Sequence, residues 1–171
     1  MKKTRSYAFM ALLMALEIIL TRFVQIPFTF FGGFVDKISL GFLPVALSGA
    51  LFGISGGTIV GALADIIRAI IFPQGGVINP LFTITAALRG SVYGAFYKSG
   101  MSFYKILIST LLIFLINVFL VGFFISISYG NPYKAVLITR LPTSAVQSVV
   151  QLLVLSLVGS PIERKLRYVR K

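Results

Sequence analysis

Four arginines stand inside or at the edge of long apolar segments: Arg22, Arg68, Arg89 and Arg140. The whole chain has only four acids, Glu17, Asp36, Asp65 and Glu163. A charge in hydrocarbon costs at least ~2.5–3.5 kcal/mol on insertion scales, so each arginine needs a partner or a water-filled cavity. Asp65 and Arg68 lie three residues apart and can pair on one helix face. Glu17 is a candidate partner for Arg89 or another buried cation. Arg22, Arg140, Lys37 and Lys134 are then left with too few acids. Under-compensated cations gathered toward one side of a membrane protein make a place for an anion. The alternative is that long side chains snorkel to the headgroups.

Two segments add uncharged recognition groups. Pro73-Gln-Gly-Gly-Val-Ile-Asn-Pro80 breaks helical periodicity. Its glycines allow close backbone approach, and irregular backbone at membrane depth is tolerated where it lines a cavity. Gln74, Gly75 and Asn79 are therefore candidate ligand contacts. Asn79 is equally a candidate helix cap. Pro27 to Asp36 reads as a structured loop rich in Phe and Gly. Phe31 and Phe34, with Phe28 and Phe30, are placed to close over a flat ligand or to anchor the loop in lipid. The candidate binding set is Arg22, Arg140, Asn79, Gly75, Gln74, Phe31, Phe34 and Lys37.

Other chemistries are disfavoured. The chain has no cysteine and no histidine, which removes disulfides, thiol catalysis and the usual zinc and haem ligands. No catalytic residues, metal site or cofactor is expected. No G-x-x-x-x-G-K-[ST] motif occurs, so ATP-driven work would depend on partners. The formal charge of +12 is concentrated at the chain ends and one loop, where it orients a membrane protein and does not imply nucleic acid.

These residues must be held by membrane-spanning elements. Of 171 residues, 57% are hydrophobic and 12% charged, too few polar groups to cover a soluble surface. The reading is an all-α integral membrane protein forming one domain over residues 1–171. Six spans are expected at about 7–26, 37–51, 56–72, 80–97, 103–129 and 133–158, with 27–36 as a loop and a tight turn at Gly53 to Gly57. The first apolar stretch has no convincing cleavage site, so a retained helix is expected there. With six spans, one face carries ten of the sixteen basic residues: Lys2, Lys3, Arg5, Lys98, Lys105, Arg164, Lys165, Arg167, Arg170 and Lys171. Both termini are expected in the cytoplasm. Small residues recur at Ala8, Ala11 and Ala15, and at Gly49, Gly53, Gly57 and Gly61. Such faces serve internal packing or docking of another membrane subunit.

Several segments in this order are familiar. They are Thr21-Arg22-Phe23, Ile38-Ser-Leu-Gly-Phe-Leu-Pro44, and the run from Leu51 to Asp65 leading into Phe72-Pro73-x-Gly75. Together they resemble the substrate-binding S components of energy-coupling factor (ECF) vitamin transporters, nearest the folate-type branch. The resemblance covers essentially the whole chain. It implies a compact S-component bundle that binds a vitamin from outside, with no ATPase site. It implies a transmembrane coupling subunit and two cytoplasmic ATPases as partners. It assigns the helix-one pair Ala11 and Ala15 to the coupling subunit, loop 27–36 to gating, and Arg22 to a position where the folate branch carries arginine. The loop from Gln74 to Asn79 lacks the aromatic residue of that branch, so another anionic vitamin such as pantothenate stays open beside folate. A non-transport assembly subunit and a small membrane enzyme are the readings from other classes.

Overall fold

A computed structural model describes residues 3–28, 36–72, 79–163 and 165. Phe31, Phe34, Gln74 and Gly75 lie outside the described residues. Helix α1 runs Lys3–Phe23. Strands β1 (Gln25–Phe28) and β2 (Asp36–Ser39) follow as an antiparallel pair, with Gln25 opposite Ser39 and Pro27 opposite Lys37. Helix α2 spans Phe42–Ile71 and α3 spans Pro80–Tyr97. Helices α4 (Phe103–Tyr129) and α5 (Tyr133–Glu163) complete the bundle. Each of these two contains a π-helical turn, at Ile116–Leu120 and Leu155–Gly159 respectively.

Three boundaries differ from the sequence expectation. The first helix stops at Phe23, because the chain enters β1 at Gln25. Lys37, expected to open a helix, lies in β2. The expected loop at 27–36 is in part the hairpin itself. A strand pair this short is too brief for a period of two to show in the sequence.

The fourth difference concerns the expected spans 37–51 and 56–72. They form one helical element, so the described residues make five helices where six are expected. The element is broken at Gly53 alone, with φ 74° and ψ −159°, a conformation that favours glycine. Its two limbs lie against each other. A Cβ built on Gly57 would stand 3.3 Å from Gly49 Cα, and one on Gly61 3.6 Å from Val45 Cγ1. Residues sixteen apart would be ~24 Å apart along a straight helix.

Packing of α2 against α3 uses backbone. A Cβ on Gly57 would meet the Gly90 carbonyl oxygen at 2.2 Å, and one on Gly49 the Gly94 nitrogen at 2.7 Å. The glycine stripe is thus spent on internal packing, the first of its two readings. Around this seam sits a core of Leu13, Leu47, Val60, Tyr93, Ile106 and Leu155. Tyr97 is fully buried, and its hydroxyl pairs with Ser109 Oγ.

The exterior is apolar. Leu12, Ile19, Ile67, Leu111, Leu153 and Leu157 all point outward, Leu157 with 71% of its surface exposed. Buried polar groups lie inside instead: Ser48, Thr85, Ser109, Thr143 and Gln151. Among the described residues, four helices are long and apolar enough to cross a membrane: α1, α2, α4 and α5. Lipid, not water, is the solvent such a surface suits.

Candidate functional site

Polar and charged groups from every helix except the exposed faces converge on a two-part cavity. The inner chamber has a volume of about 180 Å³. Helix α1 contributes Glu17 and Thr21, β2 contributes Lys37 and Ser39, α2 contributes Asp65 and Arg68, and α3 contributes Arg89 and Tyr93. Asn117 enters from the π turn of α4, and Arg140, Thr143, Ser144, Gln147 and Gln151 from α5. A vestibule of about 390 Å³ shares Thr21, Lys37, Ser39, Asp65, Arg68 and Arg89 with the chamber, so the two are continuous. Its own walls are Arg22, Gln25, Phe72, Asn79, Phe82 and Tyr129.

The charges of the chamber do not cancel. Lys37, Arg68, Arg89 and Arg140 face Glu17 and Asp65, four cations against two carboxylates among the described residues. Arg68 meets both carboxylates. Its guanidinium pairs with Asp65 Oδ1, as the three-residue spacing predicts, and lies 3.6 Å from Glu17 Oε1. Asp65 Oδ2 accepts a hydrogen bond from Thr83 Oγ1 at 2.9 Å, and Glu17 Oε1 accepts one from Thr21 Oγ1 at 2.9 Å. Glu17 therefore serves Arg68, the "other buried cation" of the sequence alternatives. Arg89 donates its Nε to the Thr85 carbonyl at 3.3 Å and forms no ion pair among the described residues. Such a surplus of positive charge, enclosed by low-dielectric walls, favours an anionic guest.

The remaining predicted residues are distributed around this axis. Arg22 stacks over the Phe72 ring at 5.0 Å in the vestibule wall. Lys37 lines both parts, and Arg140 lines the chamber. Asn79 caps α3 and lines the vestibule. Its side chain accepts from Leu81 N at 3.0 Å to cap α3, and it also faces the vestibule, donating Nδ2 to Ser128 Oγ.

Gln147 holds the entrance hairpin to α5. Its amide oxygen accepts from Ser39 N at 3.1 Å, and its Nε2 donates to Ser39 O at 3.1 Å. The side chain thus occupies the place of a third strand residue beside β2. Gln151, deeper, donates to Thr110 Oγ1 at 3.2 Å and ties α5 to α4.

A family model for the ECF transporter substrate-specific component matches residues 5–159. The chain belongs to this family. The S component is 34% identical to the folate transporter FolT of Clostridium novyi (strain NT) over 148 residues, 85% of this chain and 83% of that one. It superposes on a crystal structure of FolT bound with folic acid with a TM-score of 0.76 and 33% identity, covering 88% of both chains. A second solved structure, the S component of a bacterial ECF transporter, matches at 0.71 and 18% identity over 96% of this chain and 99% of that one, which speaks to fold alone. The S component is accordingly a membrane protein, the substrate-binding part of a transporter and not an enzyme.

Ala8, Ala11 and Ala15 are all exposed on α1. They lie away from the cavity, whose α1 residues are Glu17, Thr21 and Arg22. Sequence reasoning missed the polar face of α5. Arg140, Thr143, Ser144, Gln147 and Gln151 recur at helical spacing in an otherwise apolar helix, a signal available in the sequence. It also missed Asn117, the one amide in the apolar run from Phe103 to Tyr129. π turns often mark functional positions, but their occurrence is not encoded in any local motif.

Proposed function

We propose that this S component captures folate, or a reduced folate, and hands it to an ATP-driven ECF importer. The observation that carries the reading is the match to FolT bound with folic acid, at 33% identity and a TM-score of 0.76, together with a chamber of surplus positive charge. Folate has a flat ring system and a dicarboxylate tail. Arg22, Lys37 and Arg140 supply cations for the tail, Asn79, Gln74 and Gly75 further ligand contacts, and loop 27–36, with Phe31 and Phe34, the gate. The bundle crosses the membrane six times as one domain, counting each limb of α2, with both termini in the cytoplasm. The cation-rich chain ends support this orientation. The exposed alanine face of α1, with Ala8, Ala11 and Ala15, docks the transmembrane coupling subunit, which brings two cytoplasmic ATPases.

The test is a calorimetric titration of the detergent-purified protein with folic acid, preceded by mass spectrometry of whatever co-purifies. Saturable one-to-one binding, or folate carried through purification, is expected. An empty protein that gives no heat with folate or 5-formyltetrahydrofolate, but binds pantothenate, would reassign the vitamin.

A further inference from the structure

Helix α4 faces the chamber with Ile113 and Asn117 and turns a second set of residues to an open groove. The walls of the groove are Leu115, Ile116, Phe119 and Phe123, and its upper end is formed by Ser126 and Tyr133. Its volume is about 640 Å³. Leu115, Phe119 and Phe123 are exposed, so the groove belongs to the apolar exterior that lipid covers. The π turn divides its residues between two faces: Ile116 and Phe119 line the groove, and Asn117 between them lines the chamber. Both polar side chains at the upper end are already engaged. Ser126 Oγ donates to the Asn131 carbonyl at 2.7 Å, and the Tyr133 hydroxyl donates to the Phe119 carbonyl at 3.4 Å. The Tyr133 ring also stands edge-on to Phe123, with centroids 6.1 Å apart. A guest in the groove therefore meets hydrocarbon and aromatic surface. From Leu115 to Ser126 a helix rises about 16 Å at ~1.5 Å per residue. One leaflet of hydrocarbon is about 15 Å deep, half of a ~30 Å core.

We infer that this groove holds one acyl chain of an anionic phospholipid of the outer leaflet, with the headgroup phosphate on Lys134. The leaflet rests on the proposed orientation, which puts Tyr129 and Tyr133 at the outer surface. Lys134 follows Tyr133 at the upper end of the groove, is exposed, and forms no ion pair among the described residues. The turn that leads to it, Gly130 to Lys134, carries no acid, so the local charge favours an anion. Any apolar face of the bundle meets exchanging lipid. The groove differs in two respects: its length matches one chain of one leaflet, and a cation stands at the level of the headgroup. A chain held there packs against the outside of the wall that presents Asn117 to the chamber. It braces the binding site from the membrane side.

The chain has no tryptophan, so a single introduced one reports its own surroundings. Phe119→Trp places it in the groove, and Phe123→Trp is a second reporter there. Leu88→Trp, on an exposed position of α3, reports ordinary lipid contact. Each purified variant is reconstituted into phosphatidylcholine vesicles with increasing fractions of brominated phosphatidylglycerol or brominated phosphatidylcholine. Quenching of the tryptophan gives the relative binding constant of the two lipids. The groove reporters are expected to favour phosphatidylglycerol about fivefold, the factor that one lysine supplies near an anionic membrane surface, and Leu88→Trp to stay near parity. Lys134→Gln in the Phe119→Trp background should bring the groove to the Leu88 value. The same ratio in the groove and at Leu88 would overturn the inference and leave ordinary boundary lipid. A groove preference that survives Lys134→Gln would overturn it as well. Groove reporters that neither lipid quenches would give the groove to a second protein chain. Failure of the proposed orientation is read separately, by impermeant maleimide labelling of Ser6→Cys and Asn131→Cys; an inverted pattern overturns the leaflet assignment. None of these outcomes depends on which vitamin is bound.

Discussion

Two arginines in the same chamber have opposite duties. Arg68 bridges Asp65 and Glu17, so removing it leaves two largely buried carboxylates without that cation. Breaking a buried pair in this way costs about 3–5 kcal/mol, less here because the Arg68 side chain is 25% exposed. Arg68→Ala is expected to lower the thermal midpoint in detergent clearly, and folic acid should recover only part of the shift. Arg89 has no carboxylate to abandon among the described residues. Arg89→Gln should leave the melting temperature of the ligand-free protein near wild type and weaken folate binding by about tenfold or more. Melting curves with and without folic acid separate the two cases. The same thermal loss in both variants would make Arg89 structural. The Asp65–Arg68 pair and the Asn79 cap were both legible in the sequence, because each depends on spacing within one helix. Which cation Glu17 serves was not legible, because that depends on how α1 meets α2.

At the scale of elements, the entrance hairpin is tied to α5 through one side chain, Gln147. Gln147 grips Ser39 through both ends of one amide. Gln147→Leu keeps the volume and removes both bonds. It should speed folate dissociation by about tenfold while the association rate changes little, since tight contacts act mainly on the off-rate. Stopped-flow displacement with excess unlabelled folate measures this; an unchanged off-rate would mean that the hairpin does not control exit. Neither the hairpin nor its clamp was visible in the sequence, since four-residue strands carry too little periodicity. The break in α2 was visible, but as a five-residue turn at Gly53 to Gly57. The structure needs only Gly53 for the reversal. Gly57 is reserved for contact with α3. The polar face of α5 is legible in the sequence, where Thr143, Ser144, Gln147 and Gln151 share the helical spacing of Arg140.

For the whole molecule, charge and apolarity divide the surface into zones, and each zone makes a prediction. The chain has no native cysteine, so single cysteines report location without background. A cysteine at Ser6 should resist a membrane-impermeant maleimide in intact cells, and one at Asn131 should react. The reverse pattern would invert the proposed orientation. The alanine face of α1 is expected to matter only in the complex. Ala15→Trp should leave folate affinity of the isolated S component unchanged and abolish its co-purification with the coupling subunit. Retained co-purification would move the docking surface elsewhere. The membrane character and the inside-out polarity follow from composition. The enclosed volume does not, because it arises where six elements meet.

The seam between Gly57 and Gly90 has a thermodynamic consequence. No rotatable side chain lies in it, so assembling α2 on α3 freezes no rotamers there. Nor does the seam rely on expelling water, which lipid does not supply. Its strength rests on close van der Waals contact and is steep in distance. The α2–α3 pair should therefore behave as a keel, a stiff seam against which the other elements are set.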